Sequence, residues 1–210
     1  SKDISNEKNM HSKISDRFYL CNIGIDINEV LKAPELKLKG KSLVFTGVMD
    51  YEPNEDAMVY FIQEVFDKVA EKCPEVTLYI VGKNPTDKLK KLVINRKNII
   101  VTGKVDSVFS YIKSSTIYIS PLRIGSGKKN KIIEAISCGT PLIASTVSME
   151  GFEDIEDKNL ILRADSSNEW VENICKLLSD EEKRIDIKKR MFNLLDESYS
   201  WKNIAKKLVE

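Results

Sequence analysis

The 210-residue chain reads as an α/β protein, a Rossmann-like parallel β-sheet with helices on both faces. Two observations predict this. First, short runs of nearly continuous Val, Ile and Leu are each followed by a stretch with helical spacing: SLVFTG at 42–47, VTLYIVG at 76–82, NIIVTG at 98–103 and TIYISP at 116–121. Strands covered by helices on both sides have this composition, because neither face meets water. Second, three of these strands end in glycine, at Gly47, Gly82 and Gly103. Ligands of such sheets sit beyond the carboxyl ends of the strands, where a missing side chain lets a ligand approach the backbone. A tight strand-to-helix turn explains any one of the three. Together with the glycine loop after TIYISP they point to a ligand crevice.

Residues 1–17 are polar, mixed in charge and without a sustained period. FYLCNIGID at 18–26 reads as a short strand, and 27–41 as a connection broken by Pro34 and Gly40. Residues 1–40 are therefore expected to be a connection with a first strand, and 41–210 the ligand-binding domain. A helix is predicted over 54–72, with Ala57, Phe61, Val65 and Val69 on one face. Pro53 and Asn54 mark its start, Asn54 as N-cap. Shorter helices follow at 87–93 and 105–114. A helix over about 128–138, the strand PLIAS and a last strand at 159–164 come next. Helices at 167–178 and 180–198, and a short one from Trp201, close the chain. Phe61 and Phe66 are expected in the core or its flank, and Trp170 and Trp201 as packing anchors.

Hydrophobic residues make up 42% of the chain, enough for a real core. Charged residues make up 31%, yet the net charge is +1, which argues against a nucleic-acid protein working by bulk positive charge. No apolar run approaches the roughly 20 residues needed to span a bilayer. The opening SKDISNEKNMHSKISDR lacks the apolar stretch of a secretory signal, and the first residue is not Met, so a processed chain or a piece of a longer one is expected. Cys21, Cys73, Cys138 and Cys175 lie far apart and His11 is the one histidine, so no zinc site is expected. Reduced thiols of a cytosolic protein are the natural reading.

The segment GSGKKNKIIEAISCGTPLIAS, 125–145, carries the chemistry. It is not a Walker A loop: Lys129 follows Gly127-Lys128 where Ser or Thr is needed, and position 122 is Leu. It is not a dinucleotide fingerprint either, since Asn130 stands at the third glycine. A helix N-terminus does offer unsatisfied N–H groups and a partial positive charge to an anion. Gly125 and Gly127 remove obstructing side chains, and Arg123, Lys128, Lys129 and Lys131 add full charges. A diphosphate is the natural guest. Gly127, Lys131 and Glu134 fall on one helical stripe, opposite Ile132, Ile133 and Ile136. A carboxylate does not serve phosphate, but it accepts hydrogen bonds from neutral hydroxyls beside it, such as a ribose 2′,3′-diol. Pairing of Glu134 with Lys131 on a solvated face is equally compatible with the spacing.

This segment resembles the donor-site signature of GT-B fold glycosyltransferases of the group 1, family-4 retaining class. LCNIGID resembles the turn that opens the C-terminal domain of that class, and FTGVMDYEPNEDAMVYF its first strand and helix. NIIVTGKV resembles the strand before its nucleobase pocket, and YSWKNIAKKL its closing helix. The resemblance runs from about Phe18 to the end and covers only the donor-binding half. It implies an N-terminal acceptor domain outside this chain, a UDP-, GDP- or ADP-sugar as donor substrate, no cofactor and no required metal. It places Glu134 on the donor ribose and the Gly125-Ser126-Gly127 backbone at the phosphates and sugar. Arg123, Lys129 and Lys131 become phosphate contacts, and Gly47 lies next to the diphosphate. Thr102, Gly103, Lys104 and Val105 line the base.

The sequence departs from that pattern in two places. Ser126 stands where the first glutamate of E-x7-E falls, and Val48 and Asn54 stand near the usual Arg and Lys after the first strand. The resemblance implies a retaining sugar transfer to a glycan or lipid-linked acceptor, with no general base assigned to this half. A non-catalytic nucleotide-sugar module, motivated by the departures, stays open as the alternative, as does another GT-B enzyme such as an epimerase. The expected location is the cytoplasm. A membrane-surface association is kept open by EEKRIDIKKR, 181–190, whose simplest reading is a solvated helix face.

Overall fold

The computed structural model describes residues 25–152, 155 and 160–195. Among these, six strands form one parallel sheet: Lys41–Thr46 (β1), Val76–Val81 (β2), Ile99–Gly103 (β3), Ile117–Ser120 (β4), Leu142–Ala144 (β5) and Ile161–Arg163 (β6). Their order is β3-β2-β1-β4-β5-β6. This is a doubly wound sheet whose strand order reverses between β1 and β4. β1 pairs with β2 along its whole length, from Lys41–Val76 to Thr46–Val81. Its register with β4 runs over Leu43–Ile117 and Val44–Tyr118. Beyond that point the two strands part, and the sheet opens a gap at its carboxyl edge. All of β2 and β4 is buried, as the continuous apolar runs require.

One helix precedes the sheet and the others follow its strands. Ile27–Lys32 (α1) starts on the Asp26 side chain. The helix after β1 (α2) spans 52–72. Its middle turn, Phe61–Phe66, is π-helical between α-helical Glu52–Tyr60 and Asp67–Lys72. The wider turn buries Phe61, Ile62, Val65 and Phe66 together. The N-cap is Tyr51 and not Asn54. Pro53 is best accommodated in the first helical turn, which draws the start back and leaves Asn54 inside the helix and buried. Its side-chain amide instead donates to the Val48 carbonyl, 2.9 Å away, and holds the β1–α2 turn.

Asp87–Val93 (α3) is capped by the Thr86 hydroxyl. Val108–Ser114 (α4) begins three residues later than the sequence suggests, after Ser107. Asn130–Ser137 (α5) ends at Gly139, whose positive φ of 64° closes the helix with a bond to the Ile136 carbonyl. Ser167–Ser179 (α6) opens with a Ser166–Glu169 capping box, and Glu181–Leu194 (α7) on Asp180. Trp170 of α6 is buried edge-on against Phe61 at 5.7 Å, tying α6 to α2.

Residues 1–24, with His11, Cys21 and most of the strand expected at 18–26, lie outside the described residues. So do the last residues of the helix expected at 180–198 and the short one expected from Trp201. Among the described residues no helix is long and apolar enough to cross a membrane, and no cluster of His, Cys, Asp or Glu could hold a metal ion.

Candidate donor-binding cleft

A cleft of about 630 Å³ opens where β1 and β4 part. The turn after β1 (Thr46, Gly47, Val48) and the start of α2 form one wall, with Gly82 and Lys83 from the end of β2 beside them. Lys104 and Val105 close the β3 side. The loop after β4 and the first turns of α5 form the opposite wall. Two of the strand-ending glycines are required by the packing of the chain on itself. A Cβ on Gly82 would stand 1.8 Å from the Gly47 carbonyl oxygen, and one on Gly47 would meet the Asn54 amide at 2.7 Å. Gly103, at φ 68°, faces open space.

The floor carries two half-buried ionisable side chains from α5. Lys131 sends its ammonium under the loop to Asn54 Oδ1, 2.7 Å away, with the Phe45 ring face at 4.1 Å. Burial pulls it down to about 7, and the nearby Glu134 partly offsets this. Burial pushes the Glu134 carboxyl up, against the pull of Lys131. Beneath them the buried Tyr118 hydroxyl bonds Thr46 Oγ1 at 2.7 Å. Burial, and next the charge of Glu134, raise the phenol, keeping it neutral.

The glycine loop is held from behind by 150–152. Glu150 Oε2 accepts from the Gly127 N–H at 2.9 Å and from Lys129 Nζ at 3.3 Å. Gly151 makes room for the stem of Lys128, where a Cβ would meet Cγ at 2.7 Å. The Lys128 ammonium lies 5.0 Å over the Phe152 ring. At the loop's start, Ser145 Oγ donates to the Leu122 carbonyl at 2.5 Å.

Residues 40–180 match the family model described as "Glycosyl transferases group 1". The chain belongs to the group 1 glycosyltransferase family. It is similar to the uncharacterized glycosyltransferase MJ1069 of Methanocaldococcus jannaschii, at 32% identity over 140 residues, covering 63% of this chain and 35% of that protein. It is also similar to the phosphatidyl-myo-inositol mannosyltransferase of Mycobacterium tuberculosis, at 28% over 152 residues, covering 68% and 38%. The chain thus spans little more than a third of these relatives' length. In fold it resembles HepE of Anabaena, solved in complex with UDP and glucose, with a TM-score of 0.70 at 13% identity over 93% of this chain and 56% of that one. The six-stranded α/β sheet is that of the GT-B glycosyltransferases.

In this group 1 domain, Gly47, Lys104, Val105, Gly125, Ser126, Lys129, Lys131 and Glu134 all line the one cleft. Gly127 stands behind it, its N–H on Glu150. Thr102 and Gly103 precede the wall, with the Thr102 hydroxyl donating to the Gly103 carbonyl. Arg123 does not line the cleft. It forms a two-point pair with Asp56, Nε to Oδ2 at 2.9 Å, and lies 4.8 Å over the Tyr60 ring. Three residues escape the sequence reading: Asn54 as the partner of Lys131, Glu150 as the partner of the loop, and Lys83 in the wall. Lys83 follows a strand-ending glycine and was within reach of that pattern. The other two are bonds between residues far apart in sequence, which no local pattern signals.

Proposed function

We propose that this domain binds a nucleoside-diphosphate sugar for retaining transfer to a glycan or lipid-linked acceptor, with the acceptor site in a domain outside this chain. One observation carries the reading: a single cleft at the strand-order switch point joins an anion-seeking loop to a carboxylate recessed in α5. The diphosphate lies at Gly125, Ser126 and the Lys129 and Lys131 ammonium groups, near the N-terminus of α5. Positive charge and backbone N–H groups placed there favour the charge that develops on a departing nucleoside diphosphate. Glu134 accepts from the ribose hydroxyls, and Lys104 and Val105 border the base. Arg123, paired with Asp56 and outside the cleft wall, is left out of this reading. The nucleotide and sugar held by HepE support the same class of ligand.

Calorimetric titration of this chain with UDP, GDP and ADP, beside Glu134→Ala, tests the reading. One nucleotide should bind, and the variant should lose about tenfold or more in affinity, the scale of a hydrogen bond to a charged group. Equal binding by both proteins would sink the assignment of Glu134. No binding at all would favour a non-catalytic module or a site that needs its second domain.

A peripheral association with anionic lipid belongs to the same proposal. On α7 the exposed Ile185 and Phe192 stand seven residues apart and bracket Lys188 and Lys189. Sedimentation with phosphatidylglycerol vesicles checks it, and Ile185→Glu should abolish it.

A further inference from the structure

Lys131 is an unusual neighbour for its surroundings. Its ammonium lies half-buried against a ring face, and its hydrogen-bond partner is the neutral amide of Asn54. Asn54 is itself fixed, because its other amide atom donates to the Val48 carbonyl. The carbonyl oxygen of that amide is therefore aimed at the lysine by the β1–α2 turn. The charged groups around the ammonium are few. From α5 comes Glu134; from β4 the neutral Tyr118, beyond Glu134. Lys83, Lys104, Lys128 and Lys129 border the same cleft from β2, β3 and the loop. The two acidic side chains that follow Asn54 on α2 are engaged elsewhere: Asp56 with Arg123 and Glu55 with the Thr86 hydroxyl. The floor thus holds a cation with one recessed carboxylate, in a cleft that four further lysines border.

We propose that Asn54 is a positioning residue that sets the charge of Lys131, and that the cleft takes up a proton on Lys131 as it takes up an anionic diphosphate. This rests on the donor-site reading and adds a regulation to it. Burial disfavours the ammonium, as the fall to about 7 reflects. A diphosphate oxygen supplies the counter-charge that Asn54 cannot, so the bound state favours the ammonium. Affinity then declines as pH rises through the titration of Lys131.

The experiment reads Lys131 directly. The 13Cε and 15Nζ resonances of labelled lysine are followed from pH 5 to 11 in the whole chain, with Lys131→Met identifying the signal. Asn54→Asp places a carboxylate at the hydrogen-bond partner and should raise the midpoint by roughly one to three pH units. Asn54→Leu removes the acceptor and should lower it. Affinities for UDP and for inorganic pyrophosphate are measured across the same range, and their alkaline decline should move with the midpoint in each variant. Asn54→Asp keeps the side-chain shape should Asn54→Leu fail to fold.

A residue that merely held the β1–α2 turn would change affinity and leave the midpoint in place, and that result overturns the proposal. A midpoint that moves while the affinity profile stays fixed overturns it equally. Failure of UDP alone to bind, with pyrophosphate following the midpoint, refutes the nucleotide reading and leaves the proton linkage standing. Failure of both anions refutes both.

Discussion

Replacing Lys131 by Met should stabilise this domain at low pH, because the buried ammonium opposes folding. The unfolded chain keeps its lysine proton up to about 10.5, whereas the folded chain releases it near 7. Below pH 7 both states are protonated, and the folded state bears the full cost of a buried charge. Between 7 and 10.5 the unfolded state binds more protons, so stability rises with pH. At about 1.4 kcal/mol for each tenfold change, the full cost is about 5 kcal/mol. Met removes the ammonium from the Phe45 ring face, and leaves Asn54 Oδ1 without its donor and Glu134 without a compensating charge. Those losses return about 2 kcal/mol. The net gain at pH 6 is then about 3 kcal/mol, or a Tm higher by roughly 6–12 °C for a domain of this size. At pH 10 the native lysine is largely neutral, and the gain should vanish or reverse. Urea unfolding of both proteins at pH 6 and pH 10 measures the difference directly. A variant no more stable than the native chain at pH 6, or equally stabilised at both values, refutes the argument.

Other expectations concern packing and the site's limits. Gly82→Ala forces a Cβ onto the Gly47 carbonyl at 1.8 Å and should cost about 3 kcal/mol, whereas Gly103→Ala meets only the strain of its positive φ and should cost about 1 kcal/mol. Equal losses in chemical denaturation would show that the contact between the two turns is not rigid. Trp170→Ala removes the edge-on contact with Phe61 and should destabilise by about 3–5 kcal/mol in the same assay. Arg123→Ala should leave UDP affinity within about twofold, since its partner Asp56 lies outside the cleft wall; a partly exposed pair of this kind contributes under about 1 kcal/mol to stability. A tenfold loss of affinity would mean that Arg123 leaves Asp56 when ligand arrives.

What the sequence made legible was local and periodic. Buried parallel strands keep an unbroken apolar run, so SLVFTG, VTLYIVG, NIIVTG, TIYISP and PLIAS could be read within a residue or two of their true ends. The crevice could be placed because glycines and a basic loop fall where strands end. The misreadings share one cause. Asn54 looked like a cap because it follows Pro53, but proline itself belongs to the first turn, and the amide was left for Val48 and Lys131. Arg123 adjoins the glycine loop in sequence, yet its side chain pairs with Asp56, 67 residues away. Glu150 bonds a loop 23 residues earlier. Polar side chains choose partners in space, and those choices follow from a sheet already assembled.

The assembled sheet also gives a reason for a lysine at a place where burial is expected to make it cost stability. β1 and β4 part after Val44 and Tyr118, so the end of β1 and the start of α5 face each other across a gap that chain atoms do not fill. Lys131 reaches into that gap from one side, and Asn54 meets it from the other. A hydrocarbon side chain there would serve packing better, and a second carboxylate at position 54 would neutralise the ammonium within the chain. Neither is present. The ammonium has a neutral amide and a ring face to hold it, with Glu134 one turn further along the helix. The backbone N–H of Gly127 and the ammonium of Lys129 are in contrast already met by Glu150, so the loop is shaped before ligand arrives. Positive charge is thus of two kinds: Lys129 holds the loop through Glu150 while lining the cleft, and Lys131 is left under-compensated at the floor. Only a ligand that brings negative charge to the floor turns the second kind from a cost in folding into a gain in binding.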